Sequence, residues 1–303
     1  MPRRPSLDRV LVVVKRTAYD FYVREYRMAR VARLLREGDP VVSRLRRADR
    51  EHHKTLDEVR HALDALGARA VFRDRANAGN TDAFDLVITV GGDGTLLSVS
   101  HATWRTPVLG VNSAPQDSVG FLCSTRAGRV RRYLADYAKG LVPRIQLARM
   151  AVSVDGKRVH SRVLNDVLFA HTSPAMTTRY FLVTRGGREE QKSSGLWVGP
   201  ATGSTAAIHS AGGRVLPPRS RNLQFVVREP YTPTGRPFRY TQGIVRPGER
   251  FEVWNKMREA RLYLDGPRNV VPLTIGQRVS FEVSDEPLTM VGVHRHPSGP
   301  NAR

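Results

Sequence analysis

The chain opens, after a short basic start, on an uninterrupted apolar run, RVLVVV (Arg9–Val14), whose β-branched content predicts a strand buried on both faces. Between residues 20 and 37 the positions of Phe21, Tyr22, Tyr26, Ala29 and Leu34 suggest one helix, closed by REGDP. TLDEVRHALDALG is a plainer case. Leu56, Val59, Leu63 and Leu66 form a stripe, Thr55 and Glu58 have the spacing of a capping box, and Gly67 supplies the stop. ARAVF and FDLVITV then read as strands, TLLSVSHAT as a helix and TPVLGVN as a strand. This succession predicts an α/β domain with a largely parallel sheet. Beyond about Arg144 the texture changes to short alternating runs such as RMAVSV, RYFLVTR, LQFVVRE, ARLYLDG and RVSFEV. Turn pairs separate them, including Asp155-Gly156 and Asp265-Gly266, and predict a β-rich second domain. The expected division is residues 1–143 and 144–303, with the tail HRHPSGPNAR frayed or returning to the first domain.

Charge adds one constraint. The 303 residues carry 49 Lys and Arg against 28 Asp and Glu, a formal net charge of +21. Such a balance suits either a polyanion binder or an enzyme for small anionic molecules. The basic residues are spread along the chain, with clusters at RLRRADR (Arg44–Arg50) and RVRR (Arg129–Arg132) but no separate tail. The second class is therefore expected, and nucleic acid is not. One cysteine, Cys123, excludes an intramolecular disulfide and argues against a cysteine zinc site. Nothing approaches the ~20 apolar residues of a membrane span, and Val10–Val14 is too short for a signal-peptide core. A soluble, cytoplasmic protein with no membrane partner is expected.

The stretch LVITVGGDGTLL (Leu86–Leu97) places Gly91, Gly92, Asp93, Gly94 and Thr95 where a strand hands over to a helix. Ligands of open α/β sheets bind at such carboxyl edges. The glycines let a backbone approach a ligand closely, and amides at a helix amino end favour phosphate. A carboxylate there repels phosphate, so Asp93 must serve some other purpose. It could bind a divalent metal, or take a proton from a hydroxyl that attacks a phosphoryl group. The plain alternative is a tight turn with Asp93 as a cap. The pattern is neither a Walker loop nor G-x-G-x-x-G.

VGGDGTLL resembles the signature shared by the NAD kinases, the diacylglycerol-type lipid kinases and, distantly, phosphofructokinase. Four further segments narrow this to the NAD kinase family. VLNDVLFAH carries Asn165-Asp166 where the family has an Asn-Glu pair. GLWVGPATGSTAAIHSAGG (Gly195–Gly213) is similar to the family's T-G-S-T-A-Y stretch. GVNSAPQDSVGFL is similar to its G-x-N segment closing in G-F-L, and LYLDG to its late Asp-Gly turn. The extra residues between Asn112 and Gly120, together with QKSSGLWV and the opening VLVVVKRTAYDFYVREYR, resemble the mitochondrial-type branch, in a compact version without room for a targeting peptide.

The resemblance implies an N-terminal α/β domain, a β-rich C-terminal domain, and transfer of the γ-phosphate of ATP to the adenosine 2′-hydroxyl of NAD or NADH. It implies Mg2+ or another divalent metal, and a homodimer or higher homo-oligomer. Asp93 maps to the catalytic aspartate. Gly91, Gly92, Gly94 and Thr95 would shape the loop for ATP phosphates. Asn165, Asp166, Thr202, Ser204, Thr205, Ala206 and Ser210 would bind NAD. Three departures touch the NAD pocket: Asp166 replaces a glutamate, Ala207 the usual tyrosine, and Ser194 the usual aspartate. Lys192 is a candidate phosphate ligand, whereas His171, His209, Cys123, Trp197 and Trp254 read as packing or surface residues. Asp265 is balanced between the nicotinamide side and a plain turn. The competing readings are a small-alcohol or lipid kinase with the same loop, and a non-catalytic relative that senses dinucleotide or binds nucleic acid.

Overall fold

The computed structural model describes residues 5–232, 235 and 237–292; the expectation for the tail HRHPSGPNAR lies outside them. The described residues divide into two compact units, one built from residues 5–145 together with 289–292, the other Gln146–Leu288.

The first unit is α/β. The predicted run forms β1 (Arg9–Val14), with Val10 to Val13 fully buried. One turn of wide, π-type helix follows at Asp20–Glu25, then α1 (Ala29–Glu37). The single helix expected over 20–37 is thus split. Arg27 adopts φ 46°, which no right-handed helix continues through, and the Met28 N–H closes the first piece on the Tyr22 carbonyl (2.9 Å). Neither piece buries a residue. Phe21 packs on Tyr22 and Tyr26 with centroids 5.3 and 4.4 Å apart, so the aromatic positions cluster with one another and do not enter the core.

The next helix, α2 (Leu45–Ala65), starts ten residues earlier than its apolar stripe suggests. Thr55 therefore lies inside it, and its hydroxyl donates to the Glu51 carbonyl (2.8 Å). Glu58 does cap a helix, but another one. Its carboxylate accepts the N–H groups of Gly128 (2.7 Å) and Val130 (2.8 Å) at the start of the helix Val130–Ala138.

After α2 come β2 (Arg69–Asp74), β3 (Leu86–Gly91), α3 (Asp93–Ser100), β4 (Val108–Asn112), the short β5 (Thr125–Arg126), α4 (Val130–Ala138) and β6 (Arg144–Leu147). The sheet runs β2-β1-β3-β4, then the strand Leu288–Val291, then β6, with β5 pairing on β4. β1 pairs in parallel with β2 and β3, β3 with β4, and Met290 with Val108. Leu56, Val59 and Leu63 of α2, with Leu134 and Tyr137 of α4, close the core over Val12, Ile88 and Leu109. The parallel order brings the ends of β1, β3 and β4 to one edge.

The second unit is two six-stranded antiparallel sheets around one core. The first runs 187–193, 178–184, 251–255, 278–283, 150–154, 157–163; the other runs 242–245, 223–228, 195–199, 167–171, 260–264, 269–273. Phe169 on Tyr180 (5.3 Å) and Phe225 on Phe251 (4.7 Å) join side chains of the two sheets. The fold is thus an α/β N-terminal domain with a β-rich C-terminal domain. Among the described residues, no helix is long and apolar enough to cross a membrane.

Candidate active site

β3 is buried along its whole length and delivers the chain to the sheet edge. Gly92 then caps α3, with no side chain completing the cap, and Asp93 is the first helical residue. The glycines answer to the protein as much as to a ligand. Thr95 is buried with its hydroxyl turned onto Gly91, leaving no room there for a side chain. A Cβ on Gly92 would stand 2.7 Å from the Ser118 hydroxyl. Gly94 is the open position, with the Arg75 guanidinium 3.9 Å from where its Cβ would be.

Asp93 does not cap its own helix. Its two oxygens accept the N–H groups of Leu122 (2.8 Å) and Phe121 (2.9 Å), in the G-F-L segment. That segment is shaped by Gly120 at φ 66° against the Asn112 side chain, which donates to the Ser118 carbonyl (2.8 Å) and accepts the Ala114 N–H (3.2 Å). Two motifs some thirty residues apart are therefore one object. Each Asp93 oxygen keeps acceptor capacity, and the carboxylate is held at a helix amino end beside the open Gly94. A carboxylate so placed can accept a proton, and the helix amino end beside it can favour an anion.

In the second unit, the loop before 167–171 is organised by Asp265. Its carboxylate accepts three successive N–H groups, from Leu164 (2.8 Å), Asn165 (2.6 Å) and Asp166 (3.0 Å). The turn that presents it holds Asp265 at φ 52°. Thus Asp265 positions the Asn165-Asp166 pair, a role the sequence signals only by the Asp-Gly spacing. Asp166 accepts the Asn165 side-chain amide (2.9 Å). It is 6% exposed, and burial, aided by the charge of Asp265, pushes its carboxyl up to about 7.

The T-G-S-T segment forms a tight helical turn, Ala201–Thr205, after the strand 195–199. Gly203 lies directly against the Asn165 carbonyl, and a Cβ on Gly199 would also clash with it. The Thr202 hydroxyl donates to the Leu164 carbonyl. These contacts bring Asn165, Asp166, Thr202, Ser204 and Thr205 together, with Ala206 next in chain. Ser204 is fully buried, donating to Ala201 (2.6 Å) and accepting from Leu216 (2.8 Å), so its hydroxyl builds the turn. Ser210 is exposed and its hydroxyl donates to the Ala206 carbonyl (3.4 Å).

The remaining candidates are structural. His171 Nδ1 accepts the Ser173 N–H (2.9 Å), and His209 Nδ1 donates to the Gly213 carbonyl (3.3 Å). Cys123 is buried, and burial with the Asp93 charge pushes its thiol up to about 12, which removes it as a nucleophile. The guanidinium groups of Arg278 (4.2 Å) and Arg188 (5.2 Å) lie over the Trp254 ring, and that of Arg228 over Trp197 (5.8 Å). Among the described residues, one trio has metal-type ligands in reach of one another: Asp20, Asp49 and His53. Arg24 already bonds Asp20 and Asp49, so a guanidinium fills the place of a cation there.

Comparison with known proteins gives the family. Residues 10–142 match the model of the ATP-NAD kinase N-terminal domain. A probable NADH kinase of Oryza sativa subsp. japonica is 32% identical over 265 residues, covering 80% of this chain and 81% of its own. An NADH kinase of Arabidopsis thaliana is 34% identical over 68% of this chain and 72% of its own. In fold, the chain is similar to an NAD kinase from Archaeoglobus fulgidus solved in complex with ATP, with TM-score 0.69 and 20% identity over 94% of both chains. The chain belongs to the NAD kinase family.

Proposed function

We propose that this enzyme transfers the γ-phosphate of ATP to the adenosine 2′-hydroxyl of NAD or NADH. The bond from the γ-phosphorus to the β–γ bridging oxygen breaks, and its electron pair leaves with ADP. A new bond forms from the 2′-oxygen, whose proton passes to the Asp93 carboxylate. The observation that carries this reading is Asp93 pinned by the Phe121 and Leu122 amides at the amino end of α3. A carboxylate so fixed is already oriented when the alcohol arrives.

Gly94 leaves the loop open for the donor's phosphates, while Gly91, Gly92 and Thr95 hold its shape. Asn165, Asp166, Thr202, Thr205, Ala206 and Ser210 line the dinucleotide pocket, with Ser204 supporting the turn. Lys192, half-buried on the strand 187–193, contributes a charge for the NAD phosphates. Mg2+ or another divalent metal would accompany ATP and offset the charge of its phosphates. We further read the chain as a member of the mitochondrial-type branch, supported by its likeness to the two plant NADH kinases. A cytoplasmic homodimer or higher homo-oligomer is the state we expect, and light scattering tests the assembly.

The test is direct. Purified protein is incubated with ATP, Mg2+ and NAD or NADH, and NADP(H) is followed with a coupled dehydrogenase. Turnover is expected, and Asp93→Asn should lose it about 10³-fold. A folded wild type that binds NAD without turnover would make the chain a dinucleotide sensor.

A further inference from the structure

Lys15 is the first residue beyond β1, and its N–H bonds the Val90 carbonyl (3.0 Å). This sets it beside the glycine loop: a Cβ on Gly91 would lie 3.0 Å from that of Lys15. The side chain is half-buried and, among the described residues, its ammonium makes no hydrogen bond or ion pair. Acidic neighbours are not wanting. Lys15 lines a cleft of about 440 Å³ that also exposes Asp20, Glu25 and Asp74. Each of these has an arginine instead: Arg16 takes Glu25 (2.9 Å) and Asp74 (3.7 Å), and Arg24 takes Asp20.

The same cleft is walled by His52, which is 2% exposed. Its Nδ1 meets the Ser113 hydroxyl (2.9 Å), and the Ser113 N–H bonds the Gly91 carbonyl (3.0 Å), so the ring is tied to the loop. Its Nε2 is buried without a partner among the described residues. Burial, with the charges of His53 and Lys15, pushes this ring down to about 4, so it is neutral at pH 7. The buried Nε2 without a partner is costly, and the ammonium in the same wall has no carboxylate of its own; an anionic ligand would pair with the ammonium and accept from Nε2–H.

We propose that Lys15 binds the terminal phosphates of the triphosphate donor, extending the glycine loop's anion site onto the end of β1. This rests on the kinase reading above. A lysine suits this role as a compact point charge that follows the phosphoryl group as charge moves toward the leaving oxygen.

The test uses the full chain with Lys15→Met and Lys15→Arg. Lys15→Met should lower kcat/KM for ATP about 30-fold and leave the KM for NAD within about twofold, while Lys15→Arg restores most of the loss. Inorganic tripolyphosphate, followed by calorimetry, should bind the wild type and bind Lys15→Met about tenfold more weakly, at an unchanged thermal midpoint. ATP constants within about twofold and equal tripolyphosphate affinity in Lys15→Met would overturn the proposal. A wild type that forms no NADP(H) strikes at the kinase reading, and the tripolyphosphate comparison then still decides for or against Lys15.

Discussion

In the first unit both oxygens of Asp93 are taken by backbone N–H groups; in the second, Asp166 has one side-chain amide and faces Asp265. The surroundings differ in the same sense. At Gly92 the glycine loop leans on a movable group, the Ser118 hydroxyl, whereas the turn of Gly203 is wedged on the Asn165 carbonyl. One region holds a charge in place with donors and keeps its loop adjustable. The other fixes backbone against backbone and lets a buried carboxyl hold its proton. That division suits a phosphoryl loop that must follow moving charge and a pocket that must keep one shape.

The strongest way to break this comparison is to add one methyl group to each loop. Gly203→Ala has no escape, because a carbonyl oxygen cannot rotate aside. We expect a loss of about 4 kcal/mol and about 10 °C in the unfolding midpoint. Gly92→Ala meets only the Ser118 hydroxyl at 2.7 Å, which can turn away, and Gly92 lies in extended backbone. It should cost about 1 kcal/mol or less. Equal midpoints for the two variants would erase the distinction.

The second test is pH. The Asp166 carboxyl is raised in the fold, so the folded state holds a proton that the unfolded chain has released. The contribution of Asp166 to stability is therefore fully present below the ordinary carboxylate range and is lost as pH rises through about 7. Urea midpoints between about pH 5 and 8 should drop for the wild type, and Asp166→Asn should flatten the slope. An unchanged slope in the variant would assign the pH dependence elsewhere.

The smallest effect concerns Glu58, another carboxylate of the first unit that is held by two backbone amides. Glu58→Ala removes the bonds to Gly128 and Val130 and should cost about 1 kcal/mol. Amide exchange at Val130 should quicken about fivefold, while exchange in α3 stays as it is.

Much of this was readable from residue order, and the exceptions have causes. β1, β3 and β4 are buried on both faces, so their apolar runs are continuous and unmistakable. The first half of α2, LRRADREHHK, shows no stripe because its buried members are Asp49 and His52, placed by hydrogen bonds. The strand Gly187–Ser193 (GREEQKS) is polar, and pairing with Thr178–Thr184 defines it. The break at Arg27 depends on a backbone conformation that arginine rarely adopts. The candidate site was legible as motifs, at Asp93 and at Asn165-Asp166. It was not legible where a residue acts through distant amides, as Asp265 does across about a hundred positions. Lys15 had no signal beyond following a strand.

The strand Leu288–Val291 lies between β4 and β6 in the first unit's sheet. During synthesis β1 to β4 emerge early, yet the slot beside β4 stays open until residue 291 has left the ribosome. The second unit, whole by Leu288, has every strand it needs before the first does. The amino-terminal unit is thus the last to be finished, the reverse of the usual order of domain maturation.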